Sequence, residues 1–251
     1  MKLRIDKLLV ERGLAPTRER AQAMILAGRV MVNEQKIEKS GTAVADDAAI
    51  RLLGDDLRYV SRGGLKLERA LEHWRIDVTG LTCADVGAST GGFTDCLLQH
   101  GAARVVAIDT GYGQIDAKLR ADARVRLLEK TNARYLEAEQ VPETVAFVAM
   151  DVSFISATLV LPAVVRAIWQ GRPQAEIPRR EIVVLVKPQF EAGREQVGKG
   201  GIVRDEAAQL GAVERVRRAV EELGGAGIEV IDSPILGTEG NREFLLHAVI
   251  R

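Results

Sequence analysis

Residues 84–95 read Ala-Asp-Val-Gly-Ala-Ser-Thr-Gly-Gly-Phe-Thr-Asp, ADVGASTGGFTD. They close an apolar run, Leu81–Val86, and open a helix-like stretch, so the segment reads as strand, glycine turn, helix. Its glycines fall at 87, 91 and 92, a Gly-x-x-x-Gly-Gly spacing that misses the G-x-G-x-x-G of a dinucleotide phosphate turn. Absent side chains at Gly87 and Gly91 predict clearance for a bulky ligand at the backbone.

Further apolar runs follow at Arg104–Ile108, Val125–Leu128, Val145–Met150, Ile182–Val186, Ile228–Ile231 and Phe244–Ile250. Amphipathic stretches such as Ala157–Trp169 and Glu206–Leu223 lie between them. Strands alternating with helices predict an α/β fold, a mostly parallel sheet covered on both faces. Only SPILGTEGNRE separates the last two runs, too short for a helical crossover, so the last strand is expected to be antiparallel.

Ligands of open α/β sheets bind beyond the carboxyl ends of the strands, where the turn lies. Asp109 ends the second strand and suits the two hydroxyls of a ribose; Asn132 follows the third and suits an adenine edge. Ribose and adenine without a phosphate cradle point to S-adenosyl-L-methionine. Taken singly, these are ordinary turn glycines and a surface acid; turn, Asp109 and strand order together favour the ligand. At the same rim, Asp151 ends the fourth strand, Lys187 ends the fifth, and Glu243 begins the antiparallel last strand. Lys66, in SRGGLKLERAL, precedes the first strand and can fold over the rim.

Bulk composition sets outer limits. The chain has 251 residues, 47% hydrophobic and 28% charged, with a formal net charge of +0, so any attraction to nucleic acid has to be local. Two cysteines, Cys83 and Cys96, make neither a disulfide framework nor a metal cluster. No apolar run approaches the ~18 residues of a spanning helix, and MKLRIDKLLVERG lacks a signal-peptide core. A cytoplasmic protein without membrane or metal is the expectation.

Residues 1–58 read as a separate small unit, 59–61 as a linker and 62–251 as the α/β domain. Leu3, Ile5, Leu8 and Leu9 predict a first helix stopped by Gly13. Thr17 caps a second helix through Ala27, with Gly28 beyond it, and Val30–Val32 with Ile37 flank an Asn33-Glu34 turn, which suggests a hairpin. Over residues 1–40, nine Lys and Arg face five Asp and Glu.

The order RIDKLLVERGLAPTRERAQAMILAGRVMVNEQKI resembles the S4 RNA-binding domain, an α+β unit, with Glu34 where that family often has Gly. The resemblance implies that Arg4, Lys7, Arg18, Arg20 and Arg29 face RNA phosphates. The rest resembles the Rossmann-like class I methyltransferase fold, in particular the FtsJ-like ribose 2′-O-methyltransferases. SRGGLKL, DVGASTGGFTD, AIDTGYGQ, DVSFIS, LVKPQFE and GNREF in that order, behind an S4 unit, resemble the TlyA group of ribosomal-RNA methyltransferases, some of them labelled hemolysin A.

That resemblance implies S-adenosyl-L-methionine as cofactor and ribosomal RNA or ribosomal subunits as partner, with a cytidine ribose as acceptor. It implies a catalytic Lys66-Asp151-Lys187-Glu243 tetrad, and a cofactor site of Asp85, Gly87, Ala88, Ser89, Thr90, Gly91, Gly92, Phe93, Asp109, Asn132 and Asp151. Lys187 either accepts the 2′-hydroxyl proton as a neutral amine or stabilises the developing alkoxide as an ammonium.

Other chemistries fit less well. The Asp151-Val152-Ser153-Phe154 turn lacks the prolines of amino-methylating enzymes, and neither cysteine sits at the rim as a carbon-methylating nucleophile would. Gly193–Gly200 nearly spells a phosphate loop, but Gly200 replaces the Mg²⁺-binding hydroxyl. It reads as a mobile loop, with Lys199 and Arg204 placed for RNA phosphates or inert. His73, His100 and His247 are scattered; Phe154 and Phe190 are weak candidates for base stacking. The alternative function is a non-catalytic RNA-binding assembly factor; a membrane-lytic hemolysin has no suitable segment.

Overall fold

The computed structural model describes residues 2–15, 17–26, 28–53, 58–173, 175, 177, 179–237 and 240–251, with the Arg194 side chain excepted. The chain divides into two compact units, Met1–Leu57 and Arg58–Arg251.

In the first unit β1 (Lys2–Arg4) leads directly into α1 (Ile5–Glu11), followed by α2 (Arg18–Leu26). β2 (Val30–Val32), β3 (Gln35–Lys36), β4 (Ala43–Ala45) and β5 (Ile50–Leu52) complete it. Leu3, expected in the first helix, is in a strand paired with Val44, because helical burial begins only at Ile5. Thr17 Oγ1 accepts the Arg20 amide at 3.2 Å, so the N-terminus of α2 is capped as expected. Ala27 and residues 54–57, read as the helix end and the close of the unit, lie outside the described residues.

The Asn33-Glu34 turn has both residues at positive φ, +48° and +62°, the two-residue hairpin geometry that favours Asn-Gly. Glu34 is accommodated there and pairs with Arg51 of β5 at 2.5 Å. β2 is central in the sheet β3-β2-β5, and Ile5, Leu9, Ile25 and Val30 form the buried centre of the unit.

The second unit runs α3 (Gly63–Trp74), β6 (Thr82–Val86), α4 (Gly92–Gln99), β7 (Arg104–Ile108), α5 (Ala117–Arg120), β8 (Val125–Leu128), β9 (Phe147–Met150) and α6 (Ala157–Trp169). It ends with β10 (Glu181–Val186), α7 (Pro188–Glu191), α8 (Glu206–Glu222), β11 (Gly225–Asp232) and β12 (Phe244–Ile250). The seven strands lie in the order β11-β12-β10-β9-β6-β7-β8. β12 is antiparallel to both neighbours, and the pairs among β10, β9, β6, β7 and β8 are parallel.

The α/β fold with an antiparallel last strand is therefore present. Its reason is visible in burial: the inner strands β6, β7, β9 and β10 are almost wholly buried, because separate cores, around Leu161 and Val164 and around Leu67 and Leu97, cover the two sides. β11 is longer than its apolar signal, since Gly225, Ala226 and Gly227 carry little side chain and the strand sits at the sheet edge.

The stretch read as a linker is built into this unit. Tyr59 is buried and donates to Glu68 Oε1 at 3.0 Å, and the Val60 amide donates to Asp95 Oδ2 at 2.8 Å. Gly64 lets this happen, since a Cβ there would lie 2.3 Å from the Tyr59 ring.

Candidate active site

The glycine turn leaves β6 with Gly87 at φ +92° and Gly91 at φ +95°. A Cβ on Gly87 would stand 2.3 Å from the Asp151 carbonyl oxygen, and one on Gly91 2.3 Å from Leu119 Cδ1. The clearance expected for a ligand is thus filled by the protein's own chain, which draws the loop after β9 against the turn. Gly91 borders neither of the clefts described below. Asp85 does not border them either: it is fully buried, and its Oδ2 accepts the Thr94 amide at 2.8 Å and the Thr94 hydroxyl at 2.6 Å. Burial, more than the nearby Asp151 charge, pushes its carboxyl up to about 7. Asp85 and Gly91 therefore support the turn from beneath, away from the cleft walls.

Two clefts meet at Gly87, Ser89, Asp151 and Ser153. One, of about 340 Å³, is walled by Asp109, Thr110, Gln114, Thr131, Asn132 and Phe154 among others. Asp109 Oδ2 accepts the Ser89 amide at 2.8 Å and Oδ1 accepts the Gly111 amide at 2.6 Å, which fixes the carboxylate while leaving further lone pairs. Asn132 Oδ1 caps the one-turn helix Ala133–Tyr135 by accepting the Arg134 amide at 3.1 Å. None of the described residues on this cleft is Lys or Arg. It suits a nucleoside rather than a phosphate.

The second cleft, of about 280 Å³, carries Ala88, Thr90, Gly92 and Phe93 from the turn, together with Lys66, Asp151, Lys187 and Glu243. Lys66 comes from α3, Lys187 from the end of β10 just before Pro188, and Glu243 immediately precedes β12. Because β12 runs antiparallel, its beginning lies beside the ends of the parallel strands. Lys66 Nζ meets Glu243 Oε2 at 2.5 Å, and Lys187 Nζ meets Asp151 Oδ1 at 2.5 Å. Lys66, Lys187 and Glu243 are buried and Asp151 half-buried.

Ser153, which the sequence did not single out, accepts a hydrogen bond from Lys187 Nζ at 2.7 Å. Only its place in the DVSF turn could have signalled it, since its partner lies 34 residues away. Phe154 sits at φ +64°, is 92% exposed, and stands 5.4 Å, ring to ring, from Phe190.

The remaining expectations have definite positions. Arg4 and Arg18 are tied to Asp6, so neither is an isolated cation. Lys7 is exposed, Arg20 half-buried, and Arg29 Nε donates to the Leu53 carbonyl at 3.0 Å. Lys199 and Arg204 are exposed on a loop closed by the Gly198 amide donating to the Ile202 carbonyl at 3.0 Å. Asn241 braces that loop: its Oδ1 accepts the Val203 amide and its Nδ2 donates to the Gly201 carbonyl, both at 2.9 Å. Cys83 and Cys96 are buried thiols. Among the described residues no group of His, Cys, Asp and Glu could hold a metal ion, and no helix is long and apolar enough to cross a membrane.

Both units have counterparts among known proteins. Residues 59–249 match the FtsJ-like methyltransferase family and residues 3–50 match the S4 domain. The chain is 46% identical to the 16S/23S rRNA (cytidine-2′-O)-methyltransferase TlyA of Mycobacterium tuberculosis, over 97% of this chain and 88% of that protein. It is 38% identical to hemolysin A of Brachyspira hyodysenteriae, over 99% of this chain and all (100%) of that protein. A solved structure from Streptococcus thermophilus, described as a hemolysin, superimposes with a TM-score of 0.75 at 43% identity, covering 99% of this chain and 88% of the other.

Proposed function

Since this chain belongs to the FtsJ-like methyltransferase family and carries an S4 domain, we propose that it methylates a ribose 2′-hydroxyl of ribosomal RNA, with cytidine as the acceptor, using S-adenosyl-L-methionine. The paired clefts fit that cofactor. Asp109 and Asn132 would take the nucleoside, and the turn from Gly87 to Phe93 with Asp151 would take the amino-acid end. Bound there, the cofactor supplies a methyl group already activated as a sulfonium substituent.

The chain's own residues then have to place an oxygen and ease the loss of its proton. Lys187 Nζ is ion-paired with Asp151 Oδ1 and donates one hydrogen bond to Ser153 Oγ, which leaves donor capacity for an oxygen in the cleft. That arrangement supports the ammonium that stabilises a developing alkoxide. Accepting the proton instead would require Lys187 to be a neutral amine and to give up its pairing with Asp151. Lys66 and Glu243 form the opposite charged pair and would orient the hydroxyl. Cations of the S4 unit would dock RNA through phosphates, which positions a substrate without reading its bases.

The observation that carries this reading is the presence of both lysine–carboxylate pairs on the cleft that the glycine turn borders. Ribosomal RNA incubated with the protein and methyl-labelled cofactor should gain 2′-O-methyl groups, mapped by resistance of the adjacent phosphodiester to alkali. Lys187→Ala should lower turnover by about 10²–10³-fold, the usual cost of losing an oxyanion stabiliser, with cofactor binding nearly intact by calorimetry. Full activity in that variant, or label on a base rather than a ribose, overturns the proposal.

A further inference from the structure

Among the described residues of the first unit, Asp6 is the most completely enclosed charged one, with no exposed surface, yet its partners are half in water. Arg4 grips it with two bonds, Nε to Oδ1 at 3.0 Å and Nη2 to Oδ2 at 2.9 Å. Arg18 Nε donates to the same Oδ2 at 2.9 Å, and Gln22 Nε2 adds a fourth bond at 3.0 Å. The Arg4 side chain remains 46% exposed and that of Arg18 45%. Arg4 comes from β1 and Arg18 from the first turn of α2, so one carboxylate gathers cations from two elements.

Two guanidinium groups do not share a surface point unaided, because like charges repel. A single carboxylate oxygen bonded to both brings them together and fixes their planes. Arg4 Nη1 and both Nη atoms of Arg18 have no partner among the described residues. Their N–H bonds are therefore available to an anion, and a guanidinium fork matches phosphate oxygens where a freely rotating cation would not. The bond from Arg4 does most to hold the Asp6 carboxyl well below the usual carboxylate range, so it stays ionised at neutral pH.

We propose that Asp6 is a positioning residue that holds Arg4 and Arg18 as one two-guanidinium clamp for a single RNA phosphodiester. This rests on the reading of the first unit as RNA-binding and deepens it. A structural role and a positioning role predict opposite signs. Replacing Asp6 removes a negative charge near a polyanion, which by charge alone tightens RNA binding. Loss of the clamp weakens it.

The test is RNA affinity of the full chain, measured by filter binding across a salt series, for four variants. Arg4→Gln with Arg18→Gln should weaken binding and flatten the salt dependence by about 0.9 in log–log slope if the phosphate it no longer neutralises belongs to a duplex, less for single strands. Asp6→Asn should weaken binding about tenfold despite the added positive charge, and should have no further effect when combined with the double arginine variant. Arg4→Lys with Arg18→Lys keeps every charge and removes the forks, so it should weaken binding too; being half-exposed, these positions leave folding intact and decide the matter if Asp6→Asn melts early. Asp6→Asn binding as tightly as wild type or tighter, or lysine variants binding like wild type, overturns the clamp while the arginine effect preserves the RNA-binding reading. Arginine-to-glutamine variants without effect overturn both.

Discussion

Carboxylates meet cations in two regions of this protein, and the two arrangements are built in opposite senses. At Asp6 the acid is hidden and the cations reach outward, 46% and 45% exposed. At the tetrad the lysines are hidden with their acids, 10% exposed against 3% for the Lys66–Glu243 pair and 10% against 20% for Lys187–Asp151. The outward arrangement projects positive charge and suits a long, anonymous polyanion. The inward one keeps charges balanced around a small cleft and suits one hydroxyl group. The cation types agree with this division. Arginine offers a planar fork for phosphate, and lysine a compact, turnable point charge for a single oxygen.

The contrast is broken most severely at its buried side. Lys66→Met should abolish methyl transfer and leave Glu243 as an uncompensated buried charge, destabilising the fold by roughly 3–5 kcal/mol. Thermal melting and a methyl-transfer assay read the two effects; a variant that melts and turns over like wild type would show the inward pairing to be idle. A middle-sized effect is expected from Lys187→Arg, which preserves charge and replaces a point donor by a fork too large for the Asp151 and Ser153 geometry. Turnover should fall on the order of 10²-fold with little change in melting temperature.

The smallest effect comes from another buried carboxylate, which has no cation partner among the described residues. Asp85 relies on Thr94, and burial raises its carboxyl to about 7. A carboxyl whose folded value is raised costs nothing below the ordinary range near ~3.9 and costs more as pH climbs to about 7, where the penalty levels off. Melting temperature should therefore carry a falling component between those limits that Asp85→Asn removes, while both profiles keep the same shape above them. An unaltered slope in the variant would mean that Asp85 is solvated in a way its burial does not suggest.

The inner strands of the second unit were legible because burial on both faces forces apolar runs, and the edge strand Val125–Leu128 was legible despite Arg126 because its other three residues are apolar. Arg104–Ile108, Val125–Leu128 and Phe244–Ile250 fall where the sequence placed them. Leu3 and the short strands β1 and β4 were not, because a three-residue strand has no period to recognise. At the cleft, Asp109, Asn132, Asp151, Lys187 and Glu243 could be named from strand ends, whereas Lys66, on α3, joined them through the family resemblance. Ser153 could not, since a hydroxyl in a turn has no pattern until Lys187 arrives beside it. Asp85 and Gly91 shared the motif with the residues on the cleft walls, and only their position beneath the turn separates them.

The linear order of residues by itself determined the alternation of strand and helix, the rim of the sheet on which the clefts open, and the kinds of charge delivered there. Those follow from periodicity and from strand direction, both local properties. Which lysine meets which acid, which glycine makes room for a neighbouring loop, and whether an arginine stands alone or shares a buried aspartate were decided only by folding. Most of these depend on groups remote in the chain coming within about 3 Å, a distance over which hydrogen bonds and burial act and about which sequence spacing carries no information.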